Sequence, residues 1–546
     1  MRQIGFKNFR KFEDFHVIDL SPITIFVGEN NAGKSTVVKA MLSIVDFLKS
    51  SMFDDIPSEA VEKDFFDRAK ETLLNKNFYF NKNYFAHIGT FSRAIYNKSI
   101  DNKITFVIAI EDYKYEVTVE GNKRDSEAVS AKVVYVKVHK AKYNIDFEFD
   151  LKDRKITYVF HPGLSPLYIK ENNSISEDEE DNDEKDEFTK KFMMFQGNRK
   201  KILDTYIDYS NSFSKDVIIT TDLSFGTLRS LSSQFIDNLM SYACDRLIAS
   251  LNVKDEIEDP FGINDYKNDK LVDIIKDIPK DSMQFIDTNK RIIKEMLRTS
   301  HFAYEMQARA KVEYFYAHAV TQAVIYSAKD TNDYLVKTIH EFANARIKRN
   351  SKADKFIKKW MDIFNIGRDY EIISVGGEAH IVKIKNKDGD SLNLSDKGMG
   401  SIQLMVLLFR IATLLGKRGD GHATIIIEEP EQNIHPMLQS KLADLFYELN
   451  KDYGFKFIIE THSEYLVRRS QVIVAAENKK SKEKLKKWLN PFKVYYFPAD
   501  GYPYDMEYAP DGYFEKPFGK GFFNVSSELS LDLDRVEQGI YDEGQD

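Results

Sequence analysis

Cysteine is almost absent from this sequence. Cys244 is the single one in 546 residues, so no internal disulfide can form and no thiolate site has a second sulfur, which points to a reducing compartment, the cytosol. Long hydrophobic runs are missing as well. No apolar stretch reaches the roughly 18 to 20 residues of a membrane span, and the opening MRQIGFKNFRKF is too charged and too strand-like for a secretory signal. Neither membrane nor export is expected. Positive charge is not in excess: 78 Lys plus Arg against 86 Asp plus Glu leave a net charge of -8, which excludes a wholly basic nucleic-acid protein and confines any such contact to a local stripe. Proline is sparse at 13, whereas 40 Phe and 29 Tyr supply ample surface for a folded core. At about 150 residues per domain the length fits roughly three or four bodies, or one interrupted domain.

The periodicity argues for interruption. Residues 1–100 open with strand patterns at 4–9 and 23–27 and a helical pattern at 37–48, the order of a mononucleotide-binding unit. Residues 101–170 alternate apolar and polar in four runs between 103 and 160, an antiparallel β lobe. Residues 171–190 include SISEDEEDNDEKDE at 174–187, a solvated loop that repels itself. Residues 191–366 carry helical patterns at 291–319, 331–347 and 351–363, read as a helical insertion. Residues 367–475 return to strands at 370–374, 379–384, 424–427 and 456–459 with a long apolar helix at 400–415, resuming the first unit. Residues 476–546 form a C-terminal extension. The expected fold is α/β, a nucleotide-type core with a mixed sheet, split by an antiparallel β lobe and a long helical insertion. No internal repeat of fixed period is present.

Four motifs carry chemistry. Gly28, Glu29, Asn30, Asn31, Ala32, Gly33, Lys34, Ser35 and Thr36 match the phosphate-loop pattern and lie directly after a buried-type strand and before a helix. There, backbone N–H groups can cradle phosphates, Lys34 can neutralise the β/γ oxygens of ATP, and the Ser35 hydroxyl can ligate Mg²⁺. A metal-orienting acid is needed at the end of a neighbouring strand, and IIIEEPE provides Glu428 for Mg²⁺ and Glu429 to orient or deprotonate the attacking water. FIIETHS places His462 past the next strand, within reach of a γ-phosphate, since ligands sit at the carboxyl ends of parallel strands. The turn NLSDKGMGSIQ, with Ser395, Lys397, Gly398 and Gly400, runs into an apolar helix and makes a second anion-suited helix start. Without the phosphate loop, the two acids would read as ordinary strand-end carboxylates at a solvated edge.

These elements in this order resemble the ABC-type ATPases of the SMC and RecF kind, and within them the ATPase domain of overcoming-lysogenization-defect proteins, on FKNFRKF, LSDKGMGSIQ, IIIEEPEQNIHP and ETHSEYLVRR. The resemblance implies head-to-head pairing, with Lys34, Ser35, Glu428, Glu429 and His462 acting in cis and Ser395, Lys397, Gly398 and Gly400 sealing the ATP of a second copy. Glu428 stands where the wider family has Asp, Gly398 stands near the place of the transporters' signature serine, and the stretch AHIGTF at 86–91 has no Q-loop glutamine. The sequence after His462 is too short for a toprim nuclease, and Asp532 and Asp534 lack its strand-plus-glycine context. The tail GYPYDMEYAPDGYFEKPFGKGFFN resembles stand-alone ATPase subunits of antiphage modules of the Septu, PARIS and retron-associated kinds. That likeness implies a separately encoded effector such as an HNH nuclease. A basic stripe at Arg346, Lys348, Arg349, Lys352, Lys355, Lys358 and Lys359, and another at Lys479, Lys480, Lys482, Lys484, Lys486 and Lys487, suit DNA or retron RNA, although solvated helix faces account for them more simply. The competing expectations are a DNA-maintenance ATPase and a scaffold locked by ATP without hydrolysis.

Overall fold

The computed structural model describes residues 1–52, 77–81, 86, 88–98, 102–122, 125, 127–163, 215–222, 243, 312–316, 334–375, 379–418, 423–483, 488–519, 530–531 and 534. The acidic segment 174–187, Cys244, most of the expected helical insertion and Lys484, Lys486 and Lys487 lie outside the described residues.

β1 (Gln3–Phe9) and β2 (Phe12–Asp19) form an antiparallel hairpin with Phe9 opposite Phe12. β3 (Ile23–Gly28) follows and leads through the glycine loop into α1 (Lys34–Met52). After the short β4 (Asn77–Tyr79), the chain meanders through β5 (Lys103–Ile110), β6 (Tyr113–Glu120), β7 (Ser130–Lys140), β8 (Ile145–Asp150) and β9 (Lys155–Phe160) to β10 (Val217–Asp222). In β6 every second residue, Tyr113, Tyr115, Val117 and Val119, is buried, the period of two that a sheet with one covered face imposes. This meander is the expected antiparallel β lobe, and it is continuous with the first hairpin. β5 pairs with β1, so among the described residues the order is β10-β9-β8-β7-β6-β5-β1-β2 with β4 on β7, and the expected boundary near residue 100 falls inside one continuous sheet.

β11 (Val312–Tyr316) precedes α2 (Tyr334–Asn344), α3 (Lys352–Ile363) and a small sheet of β12 (Asp369–Val375), β13 (Ala379–Lys385) and β14 (Ser391–Asn393). Then come α4 (Met399–Arg418), β15 (Thr424–Glu428), α5 (Pro436–Tyr453), β16 (Lys456–Glu460), α6 (Glu464–Glu483), β17 (Phe492–Phe497) and β18 (Tyr504–Asp505). The second large sheet runs β11-β15-β16-β3-β17-β18, parallel except for β18. Two expectations need correction here. The helical reading of 291–319 fails over Val312–Tyr316, whose sequence VEYFY is rich in residues that favour strands and pairs in parallel with β15. The ATPase core does not stop at 475 either, because β17 supplies the strand beside β3.

Burial on both faces explains why the core strands are apolar throughout. Phe26, Ile426, Ile458 and Phe497 share one core with Val37, Val38, Met41 and Ile44 of α1 and with the nine-stranded sheet. Ile25, Val27, Ile425, Ile427, Phe457 and Ile459 share the other core with α3, α4 and α5. The segment Met399–Gly416 is long and apolar enough by composition to cross a membrane, but Leu404, Met405, Leu408, Phe409 and Ile411 are all packed in that second core. Trp360 is fully buried there as well.

Candidate active site

The phosphate loop is shaped by its neighbours. At Gly28 φ is +135°, and a Cβ there would stand 2.1 Å from the Phe497 carbonyl oxygen of β17, so only glycine permits the approach. Gly33 has φ +107°, and a Cβ on it would meet the Phe12 ring at 2.5 Å; Asn31 is left-handed too, at φ +59°. Such turns are how successive backbone N–H groups form an anion nest. The hairpin clamps the loop from outside: Lys11 Nζ donates to the Asn31 carbonyl at 3.1 Å and to Ala499 O at 2.8 Å. The motif FKNFRKF thus has a structural task, with Phe12 beneath Gly33 and Lys11 over Asn31.

Lys34 is 3% exposed, and its ammonium donates to Gly28 O at 3.0 Å and Glu29 O at 2.8 Å. Burial holds it below the usual ammonium range, against the pull of Glu460, Glu429 and Glu29. The cleft around it has a volume of about 500 Å³ and is lined by Ser35, Thr36, Glu460 and the cationic Arg10, Lys11, Lys34, Lys39 and Arg93. Arg10 is held below the ordinary guanidinium range by burial and then by Arg93, and Lys39 is lowered by burial and then by Arg10. Cations that crowd one another in a glycine-cradled cleft fit a polyanion of the size and charge of a triphosphate.

The acids converge through strand register. Glu428 and Glu460 are opposite each other at the ends of β15 and β16. The Ser35 hydroxyl donates to Glu460 Oε1 at 2.9 Å, while Glu460 Oε2 is buried without a hydrogen-bond partner among the described residues. Glu460 is 5% exposed, and burial, reinforced by Glu428, pushes its carboxyl up to about 7 against the opposing Ser35 and Lys34. A hydroxyl and two strand-end carboxylates, one with an orphaned oxygen, make a hard oxygen set that fits a hydrated Mg²⁺.

Glu429 is bent the other way by a left-handed backbone, φ +49°. Its N–H donates to Glu460 O at 2.7 Å, its Oε2 accepts from Gln432 Nε2, and its Oε1 stands 3.9 Å from His462 Nε2. The His462 imidazole is held below its ordinary range by burial and then by Lys34, against Glu429. The His462 N–H donates at 2.7 Å to Glu431 Oε1, a buried acid that burial pushes up. Ser463 caps α6, accepting from the Leu466 N–H at 3.2 Å and donating to Gln439 at 2.6 Å.

Lys34, Ser35, Glu428, Glu429 and His462 are therefore brought to one edge, the carboxyl ends of β3, β15 and β16. The residues lining the cleft include neither Glu428, Glu429 and His462 nor Ser395, Lys397, Gly398 and Gly400. Ser395 Oγ turns to Asp396 at 3.4 Å, Lys397 Nζ to Asn386 at 2.7 Å, a Cβ on Gly398 would meet open space, and Gly400 lies against the Asn433 carbonyl, 2.3 Å from where its Cβ would be. Sequence reasoning missed Glu460, Glu431, Arg10, Lys39 and Arg93. Glu460 carried a signal, an acid ending an apolar strand just as Glu428 does, and Arg10 is the basic turn of FKNFRKF. Lys39 and Arg93 carry none; Arg93 stands in the one-turn helix Phe91–Ala94, just past the stretch expected to hold a Q-loop.

Residues 1–467 match the AAA ATPase domain. The chain belongs to the AAA ATPase domain family. As a member of it the chain is an ATP hydrolase, and the family uses ATP with Mg²⁺. No curated protein matches the chain. Among solved structures it is similar to the SMC head bound to the C-winged helix domain of ScpA, at 12% identity over 92% of this chain and 97% of that one with a TM-score of 0.33. It is similar also to the Smc head with an extended coiled coil bound to the C-terminal domain of ScpA, derived from Pyrococcus furiosus (11%, 98% and 99%, 0.31). A third is the SMC head domain from Thermotoga maritima (9%, 93% and 100%, 0.31).

Proposed function

We propose that the chain is an ATP-hydrolysing head whose two copies close on ATP. One observation carries this reading: Ser395 and Lys397 spend their side chains on Asp396 and Asn386 rather than on the phosphate loop or its acids, and Gly398 faces open space, so a second copy is what this turn can seal. Lys34 and the N–H groups of residues 28–36 hold the triphosphate. Ser35, Glu428 and Glu460 would hold Mg²⁺, which when bound would neutralise charge on the triphosphate. Glu429 takes the proton of the attacking water, and His462, placed by Glu431, steadies Glu429 and the γ-phosphate. Sedimentation of a Glu429→Gln chain with ATP and Mg²⁺ tests the pairing. Two-copy particles are expected, and they should vanish in Lys34→Ala and in Gly398→Glu, the latter with ATP binding intact; a Gly398→Glu chain that still pairs sinks the idea.

We infer further that the paired heads work on DNA in its maintenance, in the manner of RecF and SMC proteins. The exposed Arg346, Lys348, Lys352 and Lys355 support this, whereas Arg349 and Lys358 are committed to Asp354 and Asp369, and Lys359 to Glu448. ATP-dependent duplex binding that falls with salt, and falls further on reversing those four charges, is the expected result. A second reading, control of a separately encoded HNH-type or other effector nuclease within a cytoplasmic antiphage module, is favoured by the tail. The segment that leads into it bears on the phosphate loop, through Phe497 on Gly28 and Ala499 under Lys11, so nucleotide state can reach a partner bound at the tail. Phage protection that needs both Lys34 and an adjacent nuclease gene, in a chain that binds no DNA alone, would select it.

A further inference from the structure

Far along the nine-stranded sheet, three strands bring together side chains that the ATPase chemistry does not use. His139 on β7 is in register with Asp146 on β8, and His161 follows β9. His139 Nδ1 lies 2.7 Å from Asp146 Oδ1, and His161 Nε2 lies 2.9 Å from Asp146 Oδ2. The donor atoms of the three residues all fall within 4.8 Å of one another. Asp146 is 3% exposed, while both imidazoles keep an edge toward solvent.

We propose that His139, Asp146 and His161 form a binding site for one divalent transition-metal ion of the Zn²⁺ class. Bonds of roughly 2.0–2.2 Å to two imidazole nitrogens and a carboxylate oxygen reach all three donors with small side-chain movements. Two nitrogens and one oxygen select a borderline ion over Mg²⁺ or Ca²⁺, which take oxygen alone. An outer shell is in place: His161 Nδ1 meets Asp216 Oδ1 at 3.0 Å, the carboxylate that orients a ligating histidine from behind. Lys137, which bridges Asp146 at 2.7 Å and Glu148 at 2.9 Å, keeps Glu148 when Asp146 turns to the ion. Both imidazoles are more than a quarter exposed, at 29% and 27%, so water can complete the coordination. Bound there, the ion ties β7, β8 and β9 together and, through Asp216, the start of β10.

The test uses the untagged full chain stripped with chelator and titrated with Co²⁺. Visible d–d absorption saturating at one ion per chain is expected, displaced by Zn²⁺ and indifferent to excess Mg²⁺, with a higher melting midpoint in the loaded chain. His139→Gln and His161→Gln each abolish the bands, and Asp216→Asn weakens binding by about 10- to 100-fold. Should a glutamine variant fail to fold, pulsed EPR of the Cu²⁺-loaded wild type decides, by showing coupling to two imidazole nitrogens. Absent bands, bands that survive in both histidine variants, or a Cu²⁺ spectrum without imidazole coupling overturns the proposal.

Discussion

Glu429 occupies a backbone region that side chains other than glycine's avoid, at a cost of about 1–3 kcal/mol, and it does so next to an extended residue, Glu428, so that two consecutive acids serve two directions. Glu429→Gln keeps the acceptor for Gln432 and removes the base: turnover should fall on the order of 10²–10⁴-fold with ATP affinity close to wild type, as single-turnover and equilibrium-binding assays would report. Glu460→Gln tests the residue that sequence reasoning passed over. It should raise the Mg²⁺ concentration for half-maximal hydrolysis by about 10-fold or more, and an unchanged Mg²⁺ profile would remove Glu460 from the site. A different residue governs acid stability. Burial pushes the Asp354 carboxyl up, but hydrogen bonds from the Asn350 N–H, Lys358 and Tyr370 win and hold it below the usual carboxylate range. A carboxyl depressed in the folded state contributes stability above its unfolded value of about 3.9, lost as pH falls through the folded value. Asp354→Asn should therefore cost about 2 kcal/mol at neutral pH, and in denaturant titrations the gap to wild type should close as pH drops below about 4.

At the scale of elements, what was legible was local. A glycine loop between a buried strand and a helix is written in nine consecutive residues, and the strands at 424–427 and 456–459 announce themselves by apolar runs that end in acids. Parallel pairing is not local. Nothing in VEYFY says that it will lie beside β15, and FKVYYF at 492–497 stands outside every motif although it flanks the phosphate-loop strand. The cations Lys39 and Arg93 enter the cleft from a helix and a one-turn helix whose meeting depends on how the two sheets enclose α1. The start of α4 shows an element set by one close contact, that of Gly400 with Asn433 O. Gly400→Val should push this helix start off the turn that follows Glu429; gel filtration should then show loss of ATP-induced pairing while nucleotide binding by the single copy persists.

For the whole molecule, the head and the β lobe meet around α1, which packs between their two sheets, and the C-terminal extension supplies an interior strand, β17. Removal of residues 488–546 should accordingly do more than trim a tail. It bares the β3 edge and takes away the carbonyl against which Gly28 is seated, so the shortened chain should be insoluble or fail to bind ATP. A soluble, ATP-binding product would show that β17 is dispensable.

The position of β17 also sets a timetable. β3 leaves the ribosome long before its partners, because both strands that flank it, β16 and β17, are made more than 400 residues later. At roughly 5–20 residues per second, the strand that carries the glycine loop waits on the order of a minute with two open edges. A nascent chain of this design needs shielding through that interval, and synonymous changes that slow translation between its two halves should lower the soluble yield without altering one amino acid.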